Sequence, residues 1–172
     1  MDLAAIRLAL QQLAQHQHDL AVNIAPASIS NPGFRRELTL LLSQQESASL
    51  QRLWLEVNEH ALIDDVESLA TFAAEMHRHG IKVGIEHFYR QIGSMSKLYD
   101  LPLDYLKIDS TFVHEINQHS GNQQLVKAVV GIARNLDLML IAEMVRTDAE
   151  WQQLEQLGLT GATGPITDSK AN

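Results

Sequence analysis

Short, nearly unbroken apolar runs alternate along this chain with longer segments of helical periodicity, and that alternation limits the fold more than any other feature. Leu20-Ala21-Val22-Asn23-Ile24, Leu53-Trp54-Leu55-Glu56-Val57 and Lys82-Val83-Gly84-Ile85-Glu86 read as strands. So do Tyr105-Leu106-Lys107-Ile108-Asp109 and Leu138-Met139-Leu140-Ile141-Ala142-Glu143, with Gly161-Ala162-Thr163-Gly164 as a weak last one. Continuous apolar runs of this length are the pattern of strands covered on both faces. Between them, residues 61–78 carry Leu62, Val66, Leu69, Phe72, Ala73 and Met76 at helical spacing, and Gly80 stands where such a helix stops. Residues 122–136 repeat the pattern with Leu125, Val129, Ile132, Ala133 and Leu136; Thr147 opens a further helix through Trp151, Leu154 and Leu157 to Gly158. Strand and helix in strict alternation predict an α/β fold with a parallel sheet and right-handed crossovers.

The polar residues favour a closed barrel over an open sheet. Asn23, Glu56, Glu86 with His87, Lys107 with Asp109, and Glu143 all fall at or near the C-terminal ends of their strands. In a (β/α) barrel those ends meet at one mouth, where the chemistry of such folds resides. No glycine-rich phosphate loop follows the first strand, which argues against a doubly wound dinucleotide fold. About six strand-helix units are visible, whereas a closed barrel takes eight strands in about 250 residues. The expectation is one domain over 1–172, a TIM-barrel-like (β/α) barrel that is incomplete, with its missing part upstream.

The 172 residues carry 13 Lys+Arg against 21 Asp+Glu, a formal charge of -8. That balance argues against a partner such as DNA or RNA, which calls for a basic surface. Without a single cysteine, thiolate metal sites, disulfides and cysteine nucleophiles are excluded. No apolar run is long enough to span a bilayer, and the opening MDLAAIRLALQQLAQ is amphipathic, so this segment is not expected to insert in a membrane. Asn, Glu and an acidic pair on adjacent strand ends make an oxygen-rich site of the type that hard divalent cations prefer. The remaining histidines are scattered; His77-Arg78-His79 sits at a helix end, where cations complement the helix dipole.

Six segments occur in order: NIA at 23–25, EVNE at 56–59, EHF at 86–88, YLKID at 105–109, AEMV at 142–145 and TGP at 163–165. Their order and spacing resemble the EAL domains of cyclic di-GMP phosphodiesterases, where the matching segments read about N-[LV]-S, E-[IL]-T-E, D-D-F-G, L-K-I-D, A-E-G-V-E and Q-G-Y. The stretch LPLDYLKIDSTF from Leu101 to Phe112 is very similar to the family signature. The resemblance implies that Asn23 and Glu56 match metal ligands, that Glu86 stands for the first Asp of the acidic pair, and that His87 replaces the second. Lys107, Asp109 and Glu143 match active-site positions; Arg146 replaces the second Glu of A-E-G-V-E, and Thr163 the Gln of Q-G-Y. The E-A-L tripeptide would lie upstream of Met1.

Because magnesium tolerates little departure from octahedral oxygen coordination, these changes lead to the expectation of a chain that is not an enzyme. Lys107, Asp109 and Glu143 would be catalytic remnants, Asn23, Glu56 and Glu86 remnant metal ligands, and no cofactor is expected. IEHFYRQ, AEMV and TGP resemble the degenerate EAL domain of LapD-type receptors, inner-membrane proteins that bind cyclic di-GMP and control adhesion. The implied ligand is cyclic di-GMP, held by Asn23, Glu56, Glu86, Lys107, Glu143, Thr163, Gly164 and Pro165. Ile92 matches an EAL–EAL dimer contact, which implies a homodimer on the cytoplasmic side of a membrane-anchored parent controlling adhesion or biofilm. Two other readings stay open: an active phosphodiesterase using Mg²⁺ or Mn²⁺ to give linear pGpG, and a nucleotide-free interaction fragment.

Overall fold

Parallel strands cannot be joined by tight turns, so each crossover must carry a helix or a long loop. The computed structural model follows that rule. It describes residues 1–61, 65–88 and 97–170, the last three as backbone alone. Contacts divide the chain into two compact units, Met1–Ile85 with Gly93–Leu103, and Glu86–Ile92 with Asp104–Asn172.

In the first unit, helix α1 (Asp2–Leu13) buries Ile6, Ala9, Leu10 and Leu13, one stripe at the spacing of an amphipathic helix. The Asp2 carboxylate accepts from the backbone N–H of Ala25 at 2.9 Å, tying the helix start to the end of strand β1 (Leu20–Ile24). Strand β2 (Leu53–Asn58) runs parallel to β1, with Leu20 opposite Leu53 and Asn23 opposite Glu56. Between them lie three helices that the apolar pattern did not announce: α2 (Pro26–Ile29), α3 (Pro32–Leu42) and α4 (Ser47–Leu50). Asn31 caps α3 by accepting from the N–H groups of Gly33 and Phe34, and Pro32 begins it. Helix α5 (Val66–Arg78) buries Leu69, Phe72, Ala73 and Met76 and ends at His79, with Gly80 at φ +77° beyond. Arg35 of α3 grips the Glu75 carboxylate of α5 with two N–H donors.

Strand β3 (Lys82–Phe88) begins in the first unit, and its end from Glu86 belongs to the second. There, β4 (Tyr105–Ile108) pairs in parallel with β5 (Met139–Ala142), and β5 with β6 (Gly161–Ala162). Every residue of β4 is buried, as its apolar run predicts. Helices α6 (Ser110–Val113), α7 (Ser120–Asn135), α8 (Asp148–Leu157) and α9 (Pro165–Lys170) fill the connections. Thr147 and Glu150 form a reciprocal capping box at the start of α8, and Gly158 at φ +101° ends it.

Two expectations need correction. Strand β1 is buried on alternate residues only, with Ala21 and Asn23 exposed, so it is covered on one face, not both. Helix α7 buries Val126, Val129, Val130 and Ala133, whereas Leu125 and Ile132 lie half-exposed beside that stripe. Among the described residues, no helix is long and apolar enough to cross a membrane.

Arg52, just before β2, donates from its guanidinium to the carbonyls of Leu13, His16 and Ala48 and so closes the C-terminal end of α1 onto α4. Arg52→Met keeps the aliphatic stem and removes the donors. Urea denaturation should show a loss of about 1–2 kcal/mol; an unchanged midpoint would mean these carbonyls are equally well served by water.

Candidate functional site

The site of the second unit is assembled by backbone hydrogen bonds that continue past the ends of the strands. Asp109 N–H donates to the Phe88 carbonyl at 3.4 Å, and Glu143 N–H to that of Ile108 at 3.1 Å. The register that sets Lys107 beside Ile141 and Ile108 beside Ala142 therefore carries on to bring the ends of β3, β4 and β5 together. His87 has φ +54°, a left-handed conformation uncommon for a side-chain-bearing residue.

The imidazole of His87 is the centre of the cluster. Its Nδ1 lies 2.8 Å from Glu143 Oε2 and 3.2 Å from Asp109 Oδ2, and its Nε2 lies 3.8 Å from Glu86 Oε2. Lys107 Nζ is 3.6 Å from the other Glu143 oxygen. Asp109 is completely buried; its Oδ1 accepts from the Thr111 N–H at 2.9 Å and from the Thr111 hydroxyl at 2.6 Å, which also caps α6. Burial pushes the Glu143 carboxyl above its ordinary range; His87 and Lys107 pull the other way without cancelling it, and Glu86 adds to the rise. One ligating atom each from Glu86, His87 and Glu143 lie within 4.8 Å of one another, the one such group among the described residues.

Thr163 and Gly164 serve as a buttress, and Pro165 begins α9. The Thr163 N–H donates to the Ala142 carbonyl and the Thr163 carbonyl accepts from the Val145 N–H, both at 2.8 Å. Gly164 has φ +114°, and a Cβ there would stand 2.7 Å from Met144 Cα. Only glycine lets the β6 end lie against the loop that carries Glu143. Asn23 and Glu56 lie in the first unit as register partners; Asn23 is exposed and Glu56 is buried, as is Glu59 at the end of EVNE. Ile92 lies outside the described residues.

The sequence reading did not give Glu150 its part in this region. It is 3% exposed and accepts three backbone N–H groups, those of Glu115, Arg146 and Thr147, at 2.8–3.0 Å. Burial raises its pKa, but these bonds and nearby His114 outweigh burial and hold the carboxyl below its usual range. The T-x-x-E spacing at Thr147 was the available signal, yet it announces only a helix cap. Arg146, whose backbone is fixed here, lines a hollow of about 230 Å³ with Ser110, Thr111, His114 and Met144.

The EAL domain profile matches residues 1–167. The chain belongs to the EAL-domain family. It is 30% identical over 149 residues to the cyclic di-GMP phosphodiesterase PdeA of Borreliella burgdorferi, which covers 86% of this chain and 22% of that protein. Its structure is similar to the apo S helix-GGDEF-EAL portion of Vibrio cholerae LapD, with a TM-score of 0.88 and 25% identity over 97% of this chain and 41% of that one. The manganese/cyclic di-GMP complex of Klebsiella pneumoniae BlrP1 aligns with a TM-score of 0.78 and 26% identity, covering 92% and 41%. The chain thus spans about a fifth of PdeA. The fold is a TIM-barrel-like (β/α) EAL barrel present in part, as the strand pattern predicted.

The expectation of a chain without enzymatic activity is overturned by these relatives, since PdeA is named a phosphodiesterase. The physical reason lies in the donors: replacing the second Asp by His87 exchanges a carboxylate for an imidazole, which still ligates metals and still pairs with phosphate.

Two outcomes test the second unit. Glu150 has a folded pKa below the unfolded value, so its contribution is complete above the unfolded pKa and fades as pH falls through the folded one. Glu150→Gln should cost about 1.5–3 kcal/mol at pH 7, as expected for hydrogen bonds to a charged group. In urea titrations across pH, that difference should vanish under strong acid. Gly164→Ala should lose about 2–4 kcal/mol through strain and collision with Met144, read as a lowered Tm in thermal unfolding.

Proposed function

We propose that this chain is the ligand-recognising part of an EAL module that binds cyclic di-GMP within a larger signalling protein. The observation that carries the reading is the convergence of Glu86, His87, Lys107, Asp109 and Glu143 on neighbouring strand ends. A cyclic dinucleotide presents phosphodiester anions and purine edges. Lys107 and His87 offer N–H donors for the phosphates, Glu143 holds both side chains in place, and a hollow lined by Ser110, Thr111, His114, Met144 and Arg146 opens on the segments that follow β4 and β5. The manganese/cyclic di-GMP complex of BlrP1 and the likeness to the cyclic di-GMP phosphodiesterase PdeA support the choice of this nucleotide. Thr163, Gly164 and Pro165 support the wall of this site, and Asn23 and Glu56 of the first unit are further proposed nucleotide contacts. We place the module on the cytoplasmic side of a membrane-anchored parent, as an EAL–EAL pair, by analogy with the LapD likeness.

A second reading, hydrolysis of the same ligand, is favoured by one observation. Glu86, His87 and Glu143 supply carboxylate and imidazole donors close enough together to share a divalent cation. Bound there, such an ion would supply Lewis acidity toward a phosphoryl oxygen and acidify a water. The side chains themselves would orient the diester: Lys107 sits on one oxygen of Glu143, and Asp109 braces the imidazole through His87 Nδ1.

Nuclear magnetic resonance titration of the full chain with cyclic di-GMP tests the binding reading. Saturable shifts at Lys107, Glu143 and Met144 are expected by about 1 mM ligand, with GMP far weaker. Lys107→Ala should weaken binding about tenfold or more, the loss of one charge-assisted contact. No saturation by cyclic di-GMP, or equal response to GMP, would sink the reading. Chromatography of the same samples with added Mn²⁺ reports linear pGpG if the second reading holds.

A further inference from the structure

We propose that the exposed face of helices α1 and α3 is a homotypic contact, by which two copies of this chain associate reversibly about a two-fold axis. The inference concerns association alone and stands whether or not cyclic di-GMP is the ligand. It uses other residues than the EAL–EAL contact implied at Ile92.

Both helices belong to the first unit and lead into parallel strands, α1 into β1 and α3, through α4, into β2. They therefore run the same way along the sheet. A hollow of about 290 Å³ lies between them, lined by the buried Leu10 and Leu41 and by the exposed Arg7, Gln11 and Gln44. Each helix also holds one large apolar side chain in solvent: Leu8 is 61% exposed and Leu40 58%. Leu8 stands three residues before Gln11 and Leu40 four before Gln44, so each lies one turn from a residue that lines the hollow. One exposed leucine is ordinary, but two beside the same hollow make a face with protrusions and a recess.

The charges decide what covers that face. The chain carries -8 overall, which opposes self-association over most of its surface. Asp2 and Glu37 are the only acidic residues of the two helices, and the Asp2 carboxylate is taken by the Ala25 N–H. The exposed charges left are Arg7, Arg36 and Glu37, and neither Arg7 nor Glu37 has an ion-pair partner among the described residues. A two-fold axis along the hollow lays α1 of each copy over α3 of the other in the same direction, so that each contact occurs twice. Leu8 then falls against Leu40 of the second copy. Arg7, at the head of the α1 wall, falls against Glu37 of the second copy, one turn before Leu41 on the α3 wall. An unrelated partner would have to supply both complements, whereas a second copy already has them. Helices of 12 and 11 residues give a face about 17 Å long and roughly 20 Å across. That is less than a permanent dimer buries and suits a reversible one.

The test is sedimentation velocity of the full chain from about 5 to 500 µM, with thermal unfolding to show that each variant is folded. The native chain should pass from monomer to dimer with a Kd of about 100 µM, and an Ile92→Glu chain should do the same. Leu8→Lys and Leu40→Lys, at exposed positions, should each keep the native Tm and weaken association at least about tenfold. Arg7→Glu sets two acidic groups against each other across the axis and Glu37→Arg two basic ones, so each variant alone should stay monomeric. Mixed in equal amounts, the two variants regain both opposite-charge pairs and should associate about as tightly as the native chain. The proposal is overturned if the native chain stays monomeric throughout, which would give the face to a different protein. It is equally overturned if both leucine variants, folded, associate as the native chain does, or if the mixture associates no better than its components alone.

Discussion

Like charges gathered at low dielectric repel one another, and the second unit holds three carboxylates around a single imidazole. At an effective dielectric near 20, two unit charges 4 Å apart interact by about 4 kcal/mol. Glu86, Asp109 and Glu143 could not remain together on charge grounds unless something sat between them. His87 and Lys107 are those groups, with Nδ1 reaching two of the carboxylates and Nε2 facing the third. The parallel ladder enforces the crowding, because its last hydrogen bonds run from Glu143 to Ile108 and from Asp109 to Phe88. The left-handed backbone at His87 and the glycine at 164, against which the Glu143 loop rests, belong to this same constraint.

That dependence changes how the departure from the family's acidic pair is understood. Read as a sequence, Glu86-His87 is a damaged metal site, since it lengthens one carboxylate and deletes another. In the folded unit the imidazole is a bridge: it can carry charge toward an anion, hold two carboxylates without a metal, or ligate one. A histidine that can take any of these parts leaves donors in place where the acidic pair stood.

The legible parts of the chain were those governed by burial. The largely apolar run of β4, the helices ending at Arg78 and Leu157, and the strand-end positions of Glu86, Lys107, Asp109 and Glu143 could be read because periodicity and residue type both record what is covered. The region 26–50 was not legible, because two of its three helices are four residues long, too short to show a period. The one-sided burial of β1 was hidden as well: Ala21 is apolar whether or not anything covers it. The structural part played by TGP was hidden for another reason. Gly164 is required by the approach of the Met144 backbone, a contact between segments about twenty residues apart that no local pattern contains. Glu150 was passed over because a cap motif signals one helix end, whereas its bond from the Glu115 N–H, 35 residues away, is tertiary in origin.

Glu143 and Glu150 flank the same loop and are both almost fully buried, yet their carboxyls shift in opposite directions. The difference lies in what meets them. Three backbone N–H groups surround Glu150, fixed by the chain and already committed, so the ionised form is held and nothing remains for a ligand. Glu143 faces a histidine and a lysine, whose side chains can turn toward another anion or, in the case of histidine, toward a cation. Its ionised form is therefore stabilised incompletely, and burial prevails. A buried carboxylate compensated by side chains alone is one that a ligand can complete, which separates the glutamate proposed to meet a ligand from the structural one.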